Sequence, residues 1–328
     1  MTNNGDFVII SDGKTDSKSL YAPIYNNEPM TNMYSITPNE YKQLSDSEYE
    51  KHIENGLFYI KKNNVRVVFD PSMLPVEERV KQMLIYWIEL FAKKVPVKAD
   101  FNTINANKSI TFRYEDIATE FGITYKQAKK VAIDSARALS FTGLEWKDSK
   151  SGAEMHFNVL QDYTTWREDS KLGRGCMNIT FGEKFAYALP RMSIMWFPRN
   201  IRQISVRHHP SSSPFALFLA VHYNRNQAYV KKHGEAVITV KKVLENTQEI
   251  PTYDVVKSAT GAVFQRIIKP FIRDMDELVT QKILKSWYIT IDNLLVNRDG
   301  YKNLKYDSFE SAVIHYTFVN YPIKQIKQ

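Results

Sequence analysis

Residues 114–160 constrain this chain more than any other stretch. Tyr114 to Phe121 has the apolar spacing of a short helix, and Gly122 follows where a left-handed residue ends one. Thr124 then caps a second helix running to about Leu139. Two helices joined by a glycine-containing turn of about three residues predict a helix-turn-helix. Leu144 to Trp146, a polar turn at Lys147 to Gly152 and the alternating run Glu154 to Leu160 predict a β-hairpin directly after it. Such a hairpin is a wing.

The second of these helices is two-faced. Ala128, Val131, Ala132, Ser135 and Leu139 recur at spacings of three and four and predict a face packed on Ile117, Ala118 and Phe121. The other side carries Lys126, Gln127, Lys130, Asp134 and Arg137. A helix lying in a DNA major groove needs long donors near its N-terminal turns. Thr124, Tyr125, Lys126, Gln127, Lys129, Lys130 and Arg137 meet that need, with Lys147 and Lys150 placed at the wing to meet phosphates. The same residue types also make an ordinary solvated face.

The rest of the chain divides around this unit. Residues 1 to about 35 mix Asn, Asp, Ser, Gly and Pro without periodicity and predict a partly disordered extension. A short helix is expected from Thr37 to Leu44, and a hairpin over residues 57 to 69. From Val76 to Val95, Val80, Met83, Leu84, Trp87, Ile88 and Phe91 have helical spacing. The order of elements then recurs without sequence similarity: a helix from Pro214 to Val230, a strand at Ala236 to Val240, a brief helix near Lys241 to Asn246 and a helix from Tyr253 to Lys269. Pro270 marks a kink or the first turn of a further helix through Thr280, and residues 282–291 and 311–320 predict a second hairpin. The expected fold is therefore α+β, with two tandem winged-helix domains. The divisions fall at 1–75 (arm and small hairpin), 76–191 (first domain), 192–213 (connector) and 214–320 (second domain).

Charge narrows the partner. The net charge is +8, but residues 191–328 carry +9, residues 76–190 carry +2 and residues 1–75 carry −3. Positive potential concentrated in the C-terminal half favours a polyanion, because each neutralised phosphate releases counterions. A solvated basic surface without a partner is the alternative. No apolar run is long enough for a membrane span, and the N-terminus lacks the features of a secretory signal, so a soluble cytoplasmic protein is expected. The single cysteine, Cys176, excludes an intramolecular disulfide.

Two further groups of cations are candidates for DNA contact. Lys257, Ser258, Arg266, Lys269 and Arg273 lie on the helix around Pro270, the last three sharing a face if the bend is mild. Arg199, Arg202 and Arg207 lie in the connector, where they are expected to track phosphates between the domains. The neighbouring His208 and His209 point in different directions and have no third ligand at a usual spacing, so no metal is expected. The sequence has neither a phosphate-binding Gly-x-x-x-x-Gly-Lys-Ser/Thr loop nor a Gly-x-Ser-x-Gly elbow, and no cofactor or catalytic activity is expected. Nineteen tyrosines leave a tyrosine nucleophile open.

Arg113 to Ile123, the lysine-rich helix after it and Gly143-Leu144-Glu145-Trp146 resemble the first winged-helix unit of iteron-binding plasmid replication initiators. Ser213 to Phe218, Thr239 to Leu244 and Phe264 to Pro270 are similar to their second unit. The resemblance spans about residues 76 to 320 and leaves residues 1 to 75 unexplained. It implies a protein that binds repeated origin sites in double-stranded DNA, helps open adjacent DNA and recruits a host initiator and helicase, with a homodimer acting as autorepressor. It also implies that the second unit is a main reader of the repeats. A transcriptional regulator of a mobile element and a DNA-nicking enzyme are the competing readings.

Overall fold

A computed structural model describes residues 20–26, 28–34, 45–62, 65–70, 77–147, 154–166, 175–245, 250–257 and 263–322. In chain order the first half contains β1 (Tyr21–Asn26), α1 (Glu28–Tyr34), α2 (Asp46–Lys51), β2 (Ile53–Glu54), β3 (Leu57–Lys62), β4 (Val65–Phe69), α3 (Glu78–Ala92) and α4 (Phe101–Asn107). It continues with β5 (Ser109–Arg113), α5 (Tyr114–Phe121), α6 (Tyr125–Ser140), β6 (Thr142–Lys147), β7 (Glu154–Asn158), β8 (Leu160–Thr165), β9 (Cys176–Phe181) and α7 (Glu183–Ala188). The second half contains β10 (Ser193–Pro198), a 3-10 turn (Arg199–Gln203), α8 (Ser212–Arg225), α9 (Gln227–His233), β11 (Ala236–Thr239) and α10 (Val240–Glu245). After α11 (Tyr253–Val256) come a π-helical turn (Phe264–Ile268), α12 (Lys269–Thr280), β12 (Leu284–Ile291), β13 (Leu294–Leu295), a 3-10 turn (Arg298–Asn303), α13 (Tyr306–Ser311) and β14 (Val313–Phe318).

Two of the sheets share one plan. In the first unit the strand before the helix-turn-helix, β5, pairs with β9, and β9 with β8. In the second, β11 pairs with β14, and β14 with β12. Each unit thus places the last strand of its wing between the strand that precedes the helix pair and the first strand of the wing. This antiparallel arrangement, with helices packed on one face, makes the fold α+β with two winged-helix units.

The pairings move the expected boundaries. The hairpin β3–β4 forms as the alternation predicts, but β4 also pairs with β6 from Val65↔Trp146 to Phe69↔Thr142. Residues 53–69 therefore belong to the first unit. The hairpin β6–β7, expected as the wing, lies in this five-stranded sheet of order β2-β3-β4-β6-β7; the hairpin that joins the helix-turn-helix strand is β8–β9. The stretch 192–213 is no loose connector either, because β10 pairs with β1 along its whole length. The helix expected over Pro214 to Val230 breaks at Asn226 into α8 and α9. Pro270 sits in the first turn of α12, directly after the π-helical turn Phe264–Ile268. The helix expected over Thr37 to Leu44 lies outside the described residues.

Helix α3 is the spine. Its apolar stripe, Val80, Met83, Leu84, Trp87, Ile88 and Phe91, is buried in the first unit's core as the periodicity predicts. Its polar side is buried as well, with Glu78, Lys81, Gln82 and Glu89 all enclosed. Gln82 shows why: its Nε2 donates to the Ile201 carbonyl at 3.1 Å and to Ser213 Oγ at 3.0 Å, joining α3 to the 3-10 turn and the start of α8. Buried polar groups persist in this way when each is hydrogen-bonded.

Candidate nucleic-acid interface

In the first unit, Gly122 adopts φ 61° and ends α5 in the left-handed conformation that its sequence position predicts. Thr124 and Gln127 then form a capping box for α6: Gln127 N–H donates to Thr124 Oγ1 at 3.3 Å, and Thr124 N–H to Gln127 Oε1 at 3.0 Å. Both residues, expected as DNA contacts, fix the start of the helix, and only the Nε2 amide of Gln127 is left to donate. Tyr125 is half-buried, its ring edge-on to Tyr114 at 6.0 Å. Its role is packing.

Lys126, Lys130 and Arg137 are exposed along α6, together with Asp134, while Lys129 is half-buried. No partner for Lys126, Lys130 or Arg137 occurs among the described residues. This leaves three cations at intervals of four and seven residues on one face. Lys147 ends β6, its side chain lying outside the described residues, as does Lys150.

The second unit builds a second cationic face. Arg266, Lys269 and Arg273 are exposed on the π-helical turn and α12, while Ile267, Ile268, Phe271, Met275 and Leu278 fill the core beneath. The π-helical turn runs directly into α12, where Lys269 and Arg273, four residues apart, share one face. Beside them runs a groove of about 610 Å³, lined by Phe264, Gln265, Lys269, Ile272 and Arg273 from the helix and by Arg298, Tyr301 and Lys302 from the wing. Arg298 makes a two-pronged ion pair with Asp276, 2.7 Å on each side, which ties the wing to the helix. Arg273 Nε donates to Asp274 at 2.7 Å and keeps its remaining donors for the groove. Lys257 is exposed and paired with Asp254 at 2.7 Å, a hydrogen bond that raises its pKa. Ser258 lies outside the described residues.

Sequence reasoning did not find Arg298, Tyr301 and Lys302. They are about 30 residues from Lys269 in the chain, and the only signal was the run of cations through Lys305.

The connector arginines require correction. Arg199 and Arg202 are 7% and 1% exposed and cannot reach phosphates. Arg199 Nη2 donates to Glu89 Oε1 at 2.8 Å, Arg202 Nη2 donates to Glu89 Oε2, and Arg202 Nη1 reaches Glu120 at 3.1 Å. A buried carboxylate needs such partners, and these two arginines supply them. Burial by itself would raise the Glu89 pKa, but the charges of Arg202, Lys93 and Arg199 outweigh it and bring it down to about 2. Of the three, Arg207 alone is exposed. His209 lies between Asp274 and Glu277, 3.5 and 3.6 Å away, and joins the connector to α12.

No protein-family model matches the sequence, and no curated protein matches it significantly. Solved structures do match by shape. The crystal structure of the Pi initiator protein in complex with iteron DNA aligns with a TM-score of 0.54 at 11% identity, covering 93% of this chain and 99% of that one. The structure of domains 2 and 3 of RctB aligns at 0.44 and 11% identity, over 88% and 98%. The WH1 domain of the MSBI1.176 replication protein aligns at 0.26 and 11%, over 41% and 88%. The chain thus has the fold of the Pi initiator protein across nearly its whole length.

Proposed function

We propose that this protein binds double-stranded DNA sequence-specifically and initiates replication of a plasmid or mobile element from origin repeats. The observation that carries the proposal is the set of exposed cations Arg266, Lys269 and Arg273, the last two lining a groove walled on its other side by Lys302, in a unit whose topology repeats that of the first. A helix of this kind offers long donors to base edges and phosphates while the wing contacts the flank of the duplex. The exposed α6 cations give the first unit a second, weaker contact. The match in fold to a protein that was crystallised on iteron DNA supports the same reading.

On this reading the chain needs no catalytic chemistry or cofactor of its own and works in the cytoplasm by assembling on DNA. Recruitment of a host initiator and helicase, and a homodimer, belong to the same proposal. The test is a gel-shift and footprinting series with duplex from the DNA flanking the gene, run at several salt concentrations against a scrambled duplex. Salt-dependent protection of tandem repeats about two helical turns long supports an initiator. Protection of a single palindrome makes the protein a repressor, and cleavage of the duplex with Mg²⁺ makes it an enzyme. Equal binding of the scrambled duplex overturns sequence-specific recognition.

A further inference from the structure

Helix α12 presents Lys269 and Arg273, yet it also carries three carboxylates, and each of them is committed. Asp274 is fully buried and accepts from the Ser211 N–H at 2.8 Å and from Arg273 Nε at 2.7 Å. Glu277 accepts from Gln281 Nε2 at 2.7 Å and lies 3.6 Å from His209. Those two meet the connector. Asp276 meets the wing: it accepts from Trp287 Nε1 on β12 at 2.9 Å and from both terminal nitrogens of Arg298 at 2.7 Å. A carboxylate bonded to the wall of a groove that Lys269, Arg273 and Lys302 also line repels the phosphates those cations attract. Its bonding supplies a reason for its place.

Arg298 opens the 3-10 turn Arg298–Asn303, and Lys302 stands four residues later, exposed and without a partner among the described residues. Tyr301 seats the turn in the core, its ring 6.4 Å from that of Trp287. Among the described residues, the only hydrogen bonds between this turn and α12 are those of Arg298 with Asp276. A two-pronged arginine–carboxylate pair fixes direction as well as distance. The Trp287 indole, as a third donor, holds the carboxylate itself in place. The pair therefore sets how far Lys302 lies from Lys269 and Arg273 across the groove. Asp299 is exposed on the same turn and makes no such bond.

We propose that Asp276 is a positioning residue for DNA binding: through Arg298 it holds Lys302 on the far wall of the groove, where Lys302 and the α12 cations grip the duplex backbone from two sides. This rests on the DNA-binding reading above. It adds that one negative charge on the DNA face strengthens binding.

The test uses the full chain and the duplex that the wild type protects, with gel shifts over a salt series and thermal denaturation of each variant. D276N removes an acid, yet it should bind roughly three- to tenfold more weakly, with the slope of log affinity against log salt reduced by about one, as for the loss of one phosphate contact. D299N removes an acid that holds nothing on α12 and should bind as tightly as wild type or more tightly. K302A should match D276N, and D276N/K302A should lose no more than K302A alone, because residues that act through one contact are not additive. If D276N does not fold, R298Q replaces it, since Arg298 is exposed, and R298Q/K302A is compared with K302A. If folded D276N binds as tightly as wild type or more tightly, Tyr301 alone holds the turn and the proposal is overturned. It is also overturned if the loss in D276N or R298Q adds to that in K302A. In either case the DNA-binding reading stands so long as R266A/K269A fails to bind. If the wild-type protein binds no duplex, both readings fall.

Discussion

Arg202 fastens the connector to the first unit through Glu89: its guanidinium reaches Glu89 on α3 and Glu120 on α5, and it stands 4.9 Å over the Tyr86 ring. The residue thus fastens the connector to the first helix of the helix-turn-helix as well as to the spine. Arg202→Ala leaves part of a buried carboxylate's charge unpaired, a change that costs about 3–5 kcal/mol when a buried pair is broken. Urea unfolding of the variant should show that loss. A loss below about 1 kcal/mol would mean that Lys93 and Arg199 satisfy Glu89 by themselves.

The same carboxylate sets an acid limit. Its pKa falls from 4.5 to about 2 on folding, so the folded state binds fewer protons than the unfolded one between those values. The stabilisation is fully present above about pH 4.5 and is lost as the pH falls towards 2, amounting to about 3 kcal/mol. Glu89→Gln should lower stability at pH 7 and flatten its dependence between pH 4.5 and 2. Equal acid slopes in the variant and the wild type would assign the limit to other carboxylates.

Periodicity revealed the helices and the repeat because both are local. Val80 to Phe91 named one face of α3 correctly, and Gly122 with Thr124 marked the turn. What stayed hidden was pairing between distant segments. Nothing in Val65 to Phe69 says that its second neighbour is β6, so β6–β7 looked like a wing when β8–β9 occupies that place. Arg199 and Arg202 misled for a similar reason: Glu89, their common partner, lies about 110 residues away on a helix face that normally meets water. Lys269 and Arg273 were legible as cations, but the groove was not, since its other wall comes from the wing.

Gly175 marks a close approach that secures the start of α6. Its φ is +74°, and a Cβ there would lie 2.2 Å from Tyr125 Oη. Gly175→Ala must therefore strain the backbone and push Tyr125, the first residue of α6, off its packing against Tyr114. Gly234, at φ +80°, has nothing within 4 Å of its Cβ position and isolates the backbone effect. Thermal denaturation should show Gly234→Ala losing about 1 kcal/mol and Gly175→Ala about 2–4 kcal/mol. Equal losses would mean that Tyr125 moves aside freely.

The two cationic faces should differ in weight. Arg266→Ala with Lys269→Ala removes two exposed cations from a region carrying +9, one of them lining the groove. Lys126→Ala with Lys130→Ala removes two from a region carrying +2. If both faces contact phosphates, each double variant should reduce the slope of log affinity against log salt by about two. If the second unit also reads bases, its variant should lose discrimination between the flanking duplex and a scrambled one, by about 1–3 kcal/mol per base contact, while the α6 variant weakens both duplexes alike. Competition gel shifts across a salt series measure both quantities. A loss of discrimination confined to the α6 variant would reverse the assignment and make the first unit the reader.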